Sequence, residues 1–195
     1  MKKLLLGATV LGALASAAPA YAASINGTSS VGAVTTTSST AHLQLGDVLQ
    51  NTFGFIGGSQ TGDFVGNVPP GTAITESSLT ATAGSAYSWT MADGSFAGAV
   101  SGSPILVINN ALSRTLSVYV LGTFTPAGTL AAFTPGPLSE TISYTETDAP
   151  GGAASFSFSG TIASPPAPPP SVPEPATIAL LGVGLLGLGL VRRRA

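Results

Sequence analysis

Apolar and polar residues alternate strictly along two stretches of this chain, and that period of two predicts β-strands with one wet face. In Ser155 to Ile162, Phe156, Phe158 and Ile162 share one face and hydroxyl side chains take the other. Thr115 to Leu121 does the same with Leu116, Val118 and Val120 inward. Weaker runs of the same kind occupy Val31 to Thr37, Thr52 to Ile56, Ala73 to Ala83, Tyr87 to Met91, Ile105 to Ile108 and Ser139 to Thr145. In Ala73 to Ala83 the apolar phase slips between Ile74 and Leu79, which predicts a bulge. Turn residues separate the runs: Gly57-Gly58, Pro69-Pro70-Gly71, Asp93-Gly94, Asn109-Asn110, Pro135-Gly136-Pro137 and Pro150-Gly151-Gly152. About eight strands so spaced predict an all-β domain, read here as a two-sheet antiparallel sandwich of jelly-roll type. The Ser/Thr-rich segment Ser24 to Ser39 fits either a first edge strand or a loose arm.

Both ends of the chain break this pattern. Lys2-Lys3, the apolar run Leu4 to Ala18 and the small-x-small Ala20-Tyr21-Ala22 have the layout of a secretory signal peptide, with cleavage expected after Ala22. At the other end, Ala176 to Val191 carries no charge. As a helix it would span ~24 Å, short for a hydrocarbon core of about 30 Å. Arg192, Arg193 and Arg194 follow it, and their side chains can snorkel to the headgroups while fixing the basic end on the cytoplasmic side. Seven prolines among the twelve residues from Ser164 to Pro175 predict an extended polyproline spacer ahead of this anchor.

Val172-Pro173-Glu174-Pro175, the Leu/Gly-rich span and the terminal arginines, in that order, resemble the PEP-CTERM sorting signal of exported bacterial proteins. The resemblance covers about the last two dozen residues. It implies recognition and removal of the tail by an exosortase, a multi-spanning membrane enzyme with a catalytic cysteine, in a Gram-negative-type envelope rich in exopolysaccharide. Glu174, framed by prolines beside the bilayer, is the charge such an enzyme would read. The resulting organisation is a signal peptide (1–22), an exported β domain (23–163), a Pro-rich linker (164–171) and a sorting and anchor segment (172–195). Expected partners are signal peptidase, exosortase and the inner membrane as a transient anchor. The expected destination is the cell surface or the extracellular space.

Composition narrows what the exported domain does. The chain has no cysteine, so the fold rests on its apolar core without disulfides, and thiol chemistry is excluded. Asp47, Asp63, Glu76, Asp93, Glu140, Glu146 and Asp148 face a single Arg114, about −6 for the body, which argues against nucleic acid as a partner. His42 is the lone histidine, no Gly-x-Ser-x-Gly surrounds any serine, and a solvated strand end is its expected place. No Asp-x-Asp-x-Asp loop supports calcium, and no metal or other cofactor is expected. Glu146 and Asp148 read as solvated rim residues, and Asp93-Gly94 as a hairpin turn. Trp89 and Tyr87 share a strand face that serves a core stripe or, alternatively, a glycan-stacking platform. Asn26-Gly27-Thr28 matches a glycosylation sequon whose machinery is not expected in this compartment. These features favour a non-enzymatic surface or matrix protein in exopolysaccharide or biofilm, with a lectin-like glycan-binding module as the alternative.

Overall fold

The computed structural model describes residues 22–110, 112–148 and 154–168. Ten strands follow one another: β1 (Gly27–Ser38), β2 (Val48–Gln60), β3 (Ala73–Glu76), β4 (Leu79–Thr80), β5 (Ala86–Met91), β6 (Gly94–Val100), β7 (Ile105–Asn110), β8 (Ser113–Pro126), β9 (Gly136–Thr147) and β10 (Ser155–Ser164). Single 3-10 turns occupy Gly62–Phe64 and Gly128–Leu130.

Every pairing among these strands is antiparallel, and the order β1-β10-β9-β8-β6-β5-β3-β2 returns to β1. The molecule is therefore a closed eight-stranded barrel, with β4 and β7 as side strands on β2 and β8. This corrects the expected two-sheet sandwich. The closing contact runs from Gly27 opposite Ser164 to Gly32 opposite Ser159. Local alternation cannot tell the two architectures apart, because each gives a strand one apolar and one wet face; pairing of the first strand with the last decides it. Ser24 to Ser39 thus supplies a wall strand bonded on both sides.

The alternation itself is realised. Leu116, Val118 and Val120 are fully buried, as is Ile162, with Phe156 and Phe158 packed against the same core. Ser155, Ser157, Ser159 and Thr161 stand exposed on the outer wall. Apolar inside and hydroxyl outside is the reverse of a barrel that spans lipid. The expected strand from Ala73 to Ala83 is interrupted at Ser77-Ser78, leaving the short β3 and β4. β6, rich in glycine and alanine, completes the wall although no alternation marks it.

Three further residues shape the wall. In β1 the inward phase passes from Gly27, Ser29 and Val31 to Thr36, and in β2 from Leu49 and Asn51 to Gly54 and Ile56. Both changes fall where Thr35 takes a left-handed conformation, φ 54°, unusual for a β-branched residue. Gly98 faces Gly122 between β6 and β8, where a Cβ on Gly122 would lie 2.3 Å from the Ala97 carbonyl oxygen. Only glycine permits that approach.

Loops plug both rims. Leu43, in the connection from β1 to β2, is completely buried at one rim, beside Leu79 and Ala81; Gly46 N–H donates to the Ala81 carbonyl at 2.9 Å. At the other rim Ile25, Phe64, Val68 and Leu130 are buried. There Asp93 accepts bonds from the backbone N–H and hydroxyl of Thr129, at 3.0 and 2.7 Å. Asp93-Gly94 makes the expected turn between β5 and β6, and its carboxylate also ties that turn to the next connection.

Among the described residues no helix is long and apolar enough to cross a membrane. The expected membrane helix, 176–191, lies outside the described residues, as does most of the signal peptide.

Candidate functional site

Two groups of charged side chains are held by the barrel, one inside it and one at the Leu43 rim. On β9 the inward parity set by Ile142 and Tyr144 also turns Glu140 and Glu146 inward. Both carboxylates are 0% exposed. The placement of Glu146 corrects the expectation of a solvated rim residue.

Glu140 sits in the interior. Its Oε2 accepts a hydrogen bond from Trp89 Nε1 at 2.9 Å, and β5 and β9 are three strands apart in the ring, so the bond spans the lumen. Trp89 in turn packs on Phe96 and Phe124, with ring centroids 5.5 and 5.8 Å away. Glu76 enters from β3, where the missing side chain of Gly54 makes room for its Oε1; its Oε2 accepts from the Asn51 amide at 2.6 Å. Thr36 donates to the carbonyl oxygen of the same Asn51 side chain at 2.7 Å. Glu76 Oε1, Glu140 Oε1 and the Tyr87 hydroxyl are buried without a hydrogen-bond partner.

Burial dominates the electrostatics of this interior. It pushes the Glu140 carboxyl up to about 8, with the Glu76 charge adding to the effect and the Trp89 hydrogen bond opposing it. Glu76 is raised for the same first reason, against its hydrogen bond from Asn51. The hydroxyls of Tyr87 and Tyr144 are raised by desolvation and then by the two carboxylates. Burial therefore favours the protonated, uncharged form of Glu140. Near Tyr87 a shallow depression of about 380 Å³ opens on the outer wall and is lined mostly by serine, alanine and glycine.

At the Leu43 rim the loop from β1 to β2 is latched to the end of β9. Glu146 Oε2 accepts the Leu43 backbone N–H at 2.6 Å, and its Oε1 lies 2.6 Å from His42 Nδ1. Asp148 Oδ2 is 3.3 Å from the same nitrogen. Arg114, opposite Glu146 on β8, directs Nη1 to the Leu43 carbonyl at 3.4 Å. Burial works to raise Glu146, but the His42 and Leu43 hydrogen bonds and the nearby Arg114 charge outweigh it and hold the carboxyl below its ordinary value. Within the loop, Asp47 accepts from Ser38, Thr40 and the Gln44 N–H, which fixes the path that delivers His42 and Leu43.

The residues singled out in the sequence fall as follows. Trp89 and Tyr87 are each 2% exposed, on the core side of the wall, and present no ring face to solvent. His42, half-exposed, is drawn into the Glu146 and Asp148 group. Ala22 is exposed, and its carbonyl accepts from the Thr134 hydroxyl at 3.2 Å. Ala20, Val172, Pro173, Glu174, Pro175, Arg192, Arg193 and Arg194 lie outside the described residues. The Pro-rich stretch begins on the barrel: Ala167 N–H donates to Ser139 Oγ at 2.9 Å, and the Tyr119 hydroxyl donates to the Ala167 carbonyl.

Residues 171–194 match the family model of the PEP-CTERM protein-sorting motif. The chain thus carries a PEP-CTERM sorting motif at this end, which implies an exosortase as its processing partner. No curated protein and no solved structure matches it.

Proposed function

We propose that the mature barrel is a non-enzymatic, structural or adhesive component of the cell surface or of an exopolysaccharide matrix, released there once the sorting tail is cut. One observation carries this reading: the interior is filled by Trp89, Tyr87, Tyr144, Phe96 and Phe124, and loops close both rims, so the outer wall is the surface left for work. That wall is rich in serine and threonine and poor in charge, which suits hydrogen bonding to a hydrated polymer. Glu140 and Glu146 are each 0% exposed, whereas a glycosidase pair works across an open cleft.

Signal peptidase processing and a passing stay in the inner membrane belong to the same proposal. The test is fractionation of cells that make exopolysaccharide and of cells that do not. Matrix association of the processed protein that depends on the polymer supports the role, and equal recovery in the soluble medium from both strains refutes it.

A glycan-binding module is the second reading, and a specific feature favours it. Phe53 and Phe55 stack on the outer wall, centroids 6.4 Å apart and planes 27° from parallel, with Phe53 45% exposed beside Val34 on the paired strand. Sugar rings stack on such aromatic faces. Loss of polymer binding in Phe53→Ala, with unchanged thermal unfolding, would decide for this reading over a passive structural one.

A further inference from the structure

His42, Glu146 and Asp148 bring one imidazole nitrogen and two carboxylate oxygens within 4.8 Å of one another. His42 Nδ1 faces both acids, Glu146 Oε1 at 2.6 Å and Asp148 Oδ2 at 3.3 Å. A ring nitrogen carries at most one hydrogen, so it can serve one of these acceptors and not both. Arg114 is the cation nearby, and its guanidinium is turned to the Leu43 carbonyl. Even counting Arg114, two carboxylates leave an excess of negative charge when the imidazole is neutral.

We propose that these three side chains form a divalent-cation site at the rim of the barrel, of the mixed imidazole and carboxylate kind that takes Zn²⁺. Calcium and magnesium favour sets made wholly of oxygen ligands, whereas an imidazole beside carboxylates suits zinc. Zinc holds such nitrogen and oxygen atoms at about 2.0–2.2 Å, which separates neighbouring ligands by roughly 3.0–3.5 Å. The Asp148 distance already falls in that range, and the Glu146 contact has to open by less than about 1 Å. Two features make this small adjustment feasible. Glu146 spends its other oxygen on the Leu43 N–H, which leaves Oε1 for the ion. The His42 side chain is 51% exposed on a loop, so the ring can turn and water can fill the remaining positions.

The consequence is a clip. Zinc would join His42 to β9 across a sequence separation of 104 residues, in a chain without cysteine to form a disulfide there. Links that close long loops constrain the unfolded chain most. Because Leu43 is the neighbouring residue, the clip would hold the plug in the barrel mouth.

The test uses the purified full chain, stripped with EDTA and titrated with ZnCl₂ by calorimetry at about pH 7.5, where an ordinary imidazole is neutral. Thermal unfolding is followed in parallel. Expected are one zinc per chain, a Tm that rises with zinc and falls back with EDTA, and affinity reduced roughly 10- to 100-fold or more in His42→Ala and in Asp148→Asn. Asp148→Asn keeps shape at a position near the surface, so it tests the site even if His42→Ala loosens the loop. Absence of saturable heat and of any zinc effect on Tm overturns the proposal. So does zinc binding that is unchanged in both variants, or a Tm that responds to pH alone, which would make the cluster an ion pair.

Discussion

Glu140 shows how one position can be both marked in the sequence and hard to read there. Counting by twos from Ile142 turns it inward, yet its charge argues for solvent, and the structure meets the conflict with a burial that favours the protonated form and a hydrogen bond from Trp89. A carboxyl raised to about 8 when folded and near 4.5 when unfolded contributes stability that is complete below the unfolded value and is lost as pH rises through the folded one. We expect denaturant midpoints to fall between about pH 5 and pH 8, by on the order of a few kcal/mol in stability. Glu140→Gln, which keeps shape without the charge, should flatten that profile and be the more stable protein at the alkaline end. Glu146 obeys the same parity and carries the same signal. His42 carries none, because its partner Glu146 comes from 104 residues away and Asp148 from farther still.

Among the elements, strands with strong alternation were legible and those built for curvature were not. Gly94-Ser95-Phe96-Ala97-Gly98-Ala99-Val100 has too little apolar contrast to announce β6, since its glycine and alanine serve close approach to β8 rather than a core stripe. Gly122→Ala should cost about 1–3 kcal/mol, as a small-to-large change against fixed backbone, measured by urea unfolding. The plug formed by the loop from β1 to β2 rests on Leu43, which is 0% exposed. Leu43→Ala should cost about 2–5 kcal/mol. Because the plug closes one rim, the same change should speed amide hydrogen exchange in the loop and at the end of β9 more than elsewhere, whereas an equal rise at every amide would deny the loop its role.

For the whole molecule, the barrel and the sorting tail are joined through a short strap. Residues 165–167 follow β10 directly, and Ala167 is bonded to Ser139 and Tyr119 on the barrel wall, so the Pro-rich stretch is tied to the barrel at least that far. Sorting is expected to depend on Glu174 and on Arg192 to Arg194, the charges that flank the apolar run. In Glu174→Ala, and in a chain lacking Arg192 to Arg194, unprocessed protein should accumulate in the inner membrane. Immunoblots of membrane and released fractions check this, and equal release from the parent and both variants would remove the tail from the mechanism.

The sorting tail, the signal-peptide layout and the β character of the body are local properties, expressed in contiguous runs of charge, proline and alternating hydrophobicity. The amino-acid order alone therefore determined the PEP-CTERM sorting motif and the strand-built character of the body. Closure of the wall, the inward acids and the meeting of His42 with Glu146 and Asp148 depend on residues far apart along the chain. Only the tertiary structure could decide them, because a strand's alternation says which residues share a face and not which strand, or which loop, that face will meet.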